Sequence, residues 1–204
     1  MGALSRTAPL AACCAAMAKA RAGAGARGRH VALLRGVNVG GRNRLRMADL
    51  VAHFEASGAR EVATLLQSGN VVFSAPEARA ASIARAVEAA IREQQGCEAP
   101  VVVRSAAEYL AATHTHLLAD GASEDELHIA FLADTPTAER VHALDAERGT
   151  PDRFLVAGRE VHLRLVGGVA RTRLSVAWFD RALATTATQR NWRTVCALAG
   201  LLEN

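Results

Sequence analysis

Hydrophobic positions first cluster at Val31, Ala32, Leu33 and Leu34, an unbroken run that ends at Gly36. A short apolar run closed by glycine predicts a buried strand over Arg29–Leu34. Met47, Leu50, Val51 and Phe54 then recur at helical spacing and Gly58 follows, which predicts a helix over Met47–Ser57. Val62–Leu66 and Val71–Ser74 read as strands joined through Gln67-Ser68-Gly69-Asn70, a hairpin whose glycine tolerates positive φ. Ile83, Val87 and Ile91 line one face of a long helix over Arg79–Gln95, stopped by Gly96, and Pro100–Arg104 is a fourth strand. The order βαββαβ is that of a split βαβ, or ferredoxin-like, unit.

The pattern then repeats. Leu127–Leu132 is a strand in which His128-Ile-Ala-Phe-Leu132 echoes His30-Val-Ala-Leu-Leu34. Thr137–Leu144 reads as a helix, and Arg153–Val156 and Glu160–Leu165 as a second hairpin around Ala157-Gly158-Arg159. Arg173–Leu183 and Asn191–Leu202 read as helices. The expected fold is therefore α+β: two tandem ferredoxin-like subdomains, 29–105 and 127–204, the second ending βαββα and so modified at its C-terminal end. Ala106–Glu126 is the link, a helix followed by an acidic loop.

Charge changes the picture only once it is located. The chain has 24 basic and 20 acidic residues, but residues 1–28 hold Arg6, Lys19, Arg21 and Arg27 and no acid. The body is thus neutral, with 24 − 4 = 20 basic residues against 20 acidic ones. Residues 1–28 are rich in Ala and Arg and read as a disordered extension, with Met17 as the alternative true start. Leu10-Ala-Ala-Cys13 resembles a lipoprotein cleavage box, but Pro9 interrupts the apolar core that an export signal needs. No apolar run approaches the roughly 18 residues of a spanning helix, so no membrane is expected. Cys13, Cys14, Cys97 and Cys196 form no CxxC or Cys/His ligand pattern, which fits a reducing, cytoplasmic compartment without metal or cofactor.

Within the body, five arginines and no acid lie between Arg29 and Arg46. Arg35, Asn38, Gly40, Gly41, Arg42 and Asn43 form a Gly/Asn/Arg loop directly after a strand. Glycine pairs let backbone approach a ligand, and guanidinium matches phosphate or carboxylate. The loop reads slightly better as a sharp strand-to-helix connection held by local Asn hydrogen bonds. It is neither a P-loop nor a dinucleotide fingerprint, since both spacings are missing. Gln67, Ser68 and Asn70 are a hairpin turn or a polar lip beside that loop. Arg173, Arg190 and Asn191 form a third basic cluster, in which Asn191 suits a helix cap and Trp192, with Val195 and Leu198, a core position. Asp180 and Glu160 read as ordinary surface acids. No Ser/His/Asp order, GxSxG or HExxH is present.

Four of these runs, Ala32-Leu-Leu-Arg-Gly-Val-Asn-Val-Gly-Gly41, Gln67-Ser-Gly-Asn-Val-Val-Phe73, His128-Ile-Ala-Phe-Leu132 and Arg190-Asn-Trp-Arg-Thr-Val195, carry a resemblance to the bacterial family called domain of unknown function 1697. It extends over Arg29 to Leu202 and brings no established activity. Where that family usually has Ser-Lys-Leu-Thr, this chain has Thr172-Arg173-Leu174-Ser175. Charge is kept there, but an amine able to act as base or form a Schiff base is not. The expected function is binding of a small anionic ligand at the Arg35–Asn43 loop. The alternative is a protein-interaction or homo-oligomeric assembly module. Nucleic-acid binding ranks below both, because the body is neutral and paired aromatics are missing.

Overall fold

The structure, a computed structural model, describes residues 27–40 and 43–203. Of the expected extension at 1–28, only Arg27 and Gly28 fall within it, and they begin the first strand.

The first half runs β1 (Arg27–Leu34), α1 (Met47–Ala56), β2 (Arg60–Leu65), β3 (Asn70–Pro76), α2 (Glu77–Gln95), β4 (Val101–Ser105) and α3 (Ala106–Thr113). The second runs β5 (Leu127–Leu132), α4 (Ala138–His142), β6 (Arg153–Ala157), β7 (Glu160–Arg164), α5 (Val176–Leu183), β8 (Ala187–Asn191) and α6 (Trp192–Glu203). The chain is α+β, with two four-stranded sheets ordered β2-β3-β1-β4 and β6-β7-β5-β8, antiparallel at every neighbour.

One expectation is corrected. The second half does not end βαββα, because β8 completes it before α6 begins. Ala187-Thr-Gln-Arg-Asn191 has no apolar run, so periodicity does not reveal a strand there. Its hydrogen bonds to β5 and the burial of Ala187 and Thr188 make it one. The register of β8 then matches that of β4. Val31 opposes Arg104 and His30 opposes Ser105, while Ile129 opposes Arg190 and His128 opposes Asn191.

Alternation along the central strands sorts the core into three layers. Ala32 and Leu34 face Leu50, Phe54, Ile83 and Ile91 of α1 and α2. Ala130 and Leu132 face Phe179 and Leu183 of α5. Val31, Leu33, Ile129 and Phe131 point the other way, into a shared layer with Tyr109 of α3 and Trp192, Val195 and Leu198 of α6. Each central strand is thus buried on both faces and reads as a continuous apolar run.

Two arginines, Arg104 buried and Arg190 half-buried, tie the halves together by matching sets of bonds. Arg104 donates through Nη2 to Leu132 O (2.7 Å) and Arg159 O (3.0 Å), and through Nε to Glu160 (2.9 Å). Arg190 donates through Nη2 to Leu34 O (2.7 Å) and Ser68 O (3.2 Å), and through Nε to Asn70. Each also uses Nη1 to reach the carbonyl of its own preceding residue. Each arginine therefore caps the end of the other half's central strand and its neighbouring turn.

The link between halves lies across β7. Arg164 donates to Gly121 O (2.8 Å) and Glu126 (2.8 Å), and Leu117 N donates to His162 Nδ1 (3.3 Å). His116 donates through Nε2 to His128 O (2.9 Å) and packs edge-on against both His162 and Trp192. Burial, then the neighbouring His116, pushes His162 down to about 4 from 6.5.

Two outcomes follow from these contacts. Arg104→Met leaves the Glu160 carboxylate buried without its cation and should cost about 3–5 kcal/mol in urea unfolding; Arg104→Met/Glu160→Gln should restore the part due to the stranded charge but not the part due to the Leu132 and Arg159 carbonyls. The His162 value is lower in the folded chain than in the unfolded one, so its stabilisation is full above pH 6.5 and lost as pH falls towards 4. The loss should be on the order of 3 kcal/mol. Unfolding followed across that range should show a shallower decline in His162→Gln.

Candidate functional site

The two halves make the same connection with loops of different length. From β1 to α1 the chain uses residues 35–46, twelve of them; from β5 to α4 it uses 133–137, five. The topology therefore does not require the longer loop, and its extra residues carry the Gly/Asn/Arg composition.

Asn38 organises this loop. Its Nδ2 donates to Leu45 O (2.8 Å) and Gln67 O (2.7 Å), and its Oδ1 accepts from Leu45 N (2.9 Å). Asn38 N donates to Asn43 O (3.0 Å), and Asn43 Nδ2 to Gly36 O (3.0 Å), which closes the loop on itself. Asn38 and Asn43 both sit at positive φ, 55° and 50°, a region asparagine tolerates better than most side chains. The β2–β3 turn packs against the loop. A Cβ on Gly69, itself at φ 72°, would lie 2.6 Å from both Leu34 Cβ and Val37 Cγ2.

Most of the polar groups proposed from sequence are engaged inside the chain. Arg35 pairs with Asp180 of α5, whose other oxygen accepts from Ala187 N (2.8 Å). Asn70 Nδ2 donates to Leu65 O (2.9 Å) and Ser68 Oγ (3.0 Å), and its Oδ1 accepts from Arg190. Burial pushes Arg190 down to about 10, so it is still a cation at neutral pH. Asn191 accepts from Thr194 N (2.9 Å) and caps α6. Arg35 and Arg190 thus meet at one interface between the halves. Arg173 joins neither: it is exposed ahead of α5, where its carbonyl accepts from Arg148. Gly41 and Arg42 lie outside the described residues. Asp180 and Glu160 are not ordinary surface acids, since each holds an arginine from the other half.

What these bonds leave open is a cleft of about 340 Å³ lined by Asn38, Arg44, Leu45, Arg46 and Gln67. Arg46 is bound by both oxygens of Asp49 at 2.8 Å, which also holds the Asp49 carboxyl below its usual range. Arg44 is exposed and has no ion pair among the described residues. Gln67 is exposed, with its side-chain amide turned to no described partner. Val39 and Leu66, next in sequence to the lining residues Asn38 and Gln67, are 63% and 61% exposed, and Leu66 is held at φ 60°. A guanidinium, an amide and two apolar side chains can take an anionic group and pack against what carries it. Arg44 and Arg46 were legible only as part of the acid-free arginine stretch; the fold brings them to Gln67.

Two substitutions test this framework. Gly69→Ala should cost at least about 2 kcal/mol in thermal unfolding, from positive φ and from overlap with Leu34 and Val37. Asn38→Ala removes three side-chain hydrogen bonds and should cost about 2–3 kcal/mol. Its hydrogen exchange should rise at residues 36–46 and 66–69 while β5 and β7 stay protected.

The chain has the fold of a conserved bacterial protein, SP0830, from Streptococcus pneumoniae: TM-score 0.68 at 17% identity, over 88% of this chain and 100% of that one. No curated protein matches. The profile of the family described as protein of unknown function (DUF1697) matches residues 28–162, and the chain belongs to that family.

Proposed function

We propose that the chain is a cytoplasmic protein that binds a small anionic ligand, a phosphate ester or a carboxylate, between the β1–α1 loop and the β2–β3 turn. The observation that carries this reading is the difference in loop length. One half makes the β-to-α connection in five residues, and the other uses twelve, with a braced cleft and an arginine on its rim that has no ion pair among the described residues. Long loops on a rigid scaffold are where binding groups concentrate. Arg44 supplies charge, Gln67 a donor and acceptor, and Leu66 and Val39 apolar cover. Cys97, in no disulfide among the described residues, suits a reducing compartment.

We read the scaffold as two ferredoxin-like units that arose by internal duplication. Support comes from the equal strand orders, the matching registers of β4 and β8, and the paired roles of Arg104 and Arg190. RNA recognition is disfavoured, because helices and the other half cover both faces of each sheet and leave no open platform for base stacking. A protein-interaction or assembly role is the second reading. It is favoured by the exposed Val39 and Leu66, which suit a second protein as well as a small ligand.

Thermal stability of the whole chain with phosphate, pyrophosphate, citrate and glucose 6-phosphate tests the leading reading. An anion at 100 times its Kd should raise stability by about 2.7 kcal/mol. Arg44→Ala, an exposed change, should weaken binding at least about tenfold. If none of these anions stabilises the chain, or if Arg44→Ala binds as wild type does, the leading reading falls. A self-association constant that weakens in Leu66→Ser would then carry the second.

A further inference from the structure

A second cleft, of about 250 Å³, opens between the end of α3, the link and the β6–β7 hairpin. Its polar wall is Glu160 and His162, on β7, with His114 and Thr115 also lining it. Residues two apart on a strand share a face. Val161 and Leu163 face the outer core, so Glu160 and His162 face inward, under the link.

Both side chains are almost wholly buried, at 8% and 2% exposure, and each is only half engaged. Glu160 binds Arg104 through Oε1, and no described hydrogen bond claims Oε2. His162 accepts from Leu117 N at Nδ1, which places the proton of the neutral ring on Nε2. No described bond claims that N–H either. Both residues line the cleft. Arg104 balances the charge of Glu160, and burial keeps His162 neutral.

The cleft thus offers one fixed donor beside one fixed acceptor, with no net charge and with apolar walls from Ala111, Ala112, Leu117 and Ala157. A carboxylate would face Glu160 unfavourably. An ammonium group would meet the His162 N–H, which cannot accept from it. A primary carboxamide satisfies both atoms, its carbonyl accepting from Nε2–H and its NH2 donating to Oε2. We propose that the Glu160–His162 cleft is a binding site for a neutral ligand bearing a carboxamide, separate from the anion cleft.

Nicotinamide and nicotinate, alike except for amide against acid, test this on the whole chain at pH 7.5. The readout is the histidine ring 1H–13C NMR signals, with His162 assigned by its loss in His162→Gln. Nicotinamide should shift His162 and His114 saturably, with nicotinate at least tenfold weaker. Ala157→Leu, which fills the cleft at the end of an edge strand, should abolish the shifts. No saturable shift with nicotinamide, equal shifts with nicotinate, or undiminished binding in Ala157→Leu would overturn the proposal. The amide-against-acid comparison needs no variant and decides the matter even if Ala157→Leu does not fold.

Discussion

Arg104 and Arg190 occupy equivalent points on the edge strands of two sheets, and each reaches into the other half to end its central strand. The carbonyls of Leu34 and Leu132, where those strands stop, accept from the two guanidinium groups. Buried backbone acceptors must find donors, and a rigid fork of five N–H groups can serve a strand end and a turn at once. The two ties balance their charge differently. Arg104 has the carboxylate of Glu160, whereas Arg190 is held by neutral acceptors on Asn70, Leu34, Ser68, Thr188 and Gln189. Lysine could not reproduce either set, because it presents a point charge rather than a fork.

Much else rests on these ties. They bring the inner faces of the sheets close enough to share one core layer, in which Tyr109 of α3 donates to Val195 O of α6 at 3.2 Å. They fix the β2–β3 turn through Ser68 and Asn70, and that turn, through Gln67, lines the cleft at Arg44. They also leave Glu160 half engaged at the other cleft. A single pair of interactions thus positions both candidate sites, although neither arginine lines either cleft.

The strands and helices with apolar periodicity were legible in the sequence, from the run at Val31–Leu34 to the face of Ile83, Val87 and Ile91. The Asn191 cap and the core placement of Trp192 were legible too, because both depend on local spacing. β8 was not, because a strand of Ala, Thr, Gln, Arg and Asn acquires its identity from pairing alone. The partners of Asp180 and Glu160 were hidden for a related reason: they lie 145 and 56 positions away and leave no local signature. The same limit applies to the candidate site. A Gly/Asn/Arg loop announces polar chemistry, but which amides brace it and which arginine stays open is decided by the turn at Gln67–Gly69.

If the reciprocal bonds of Arg104 and Arg190 are what makes the halves one unit, they should open together. Native-state hydrogen exchange across a urea series measures this directly. The account predicts that the slowest amides of β1, β3, β5 and β7 converge on one opening free energy with one denaturant dependence. Two separate isotherms, one for each sheet, would contradict it.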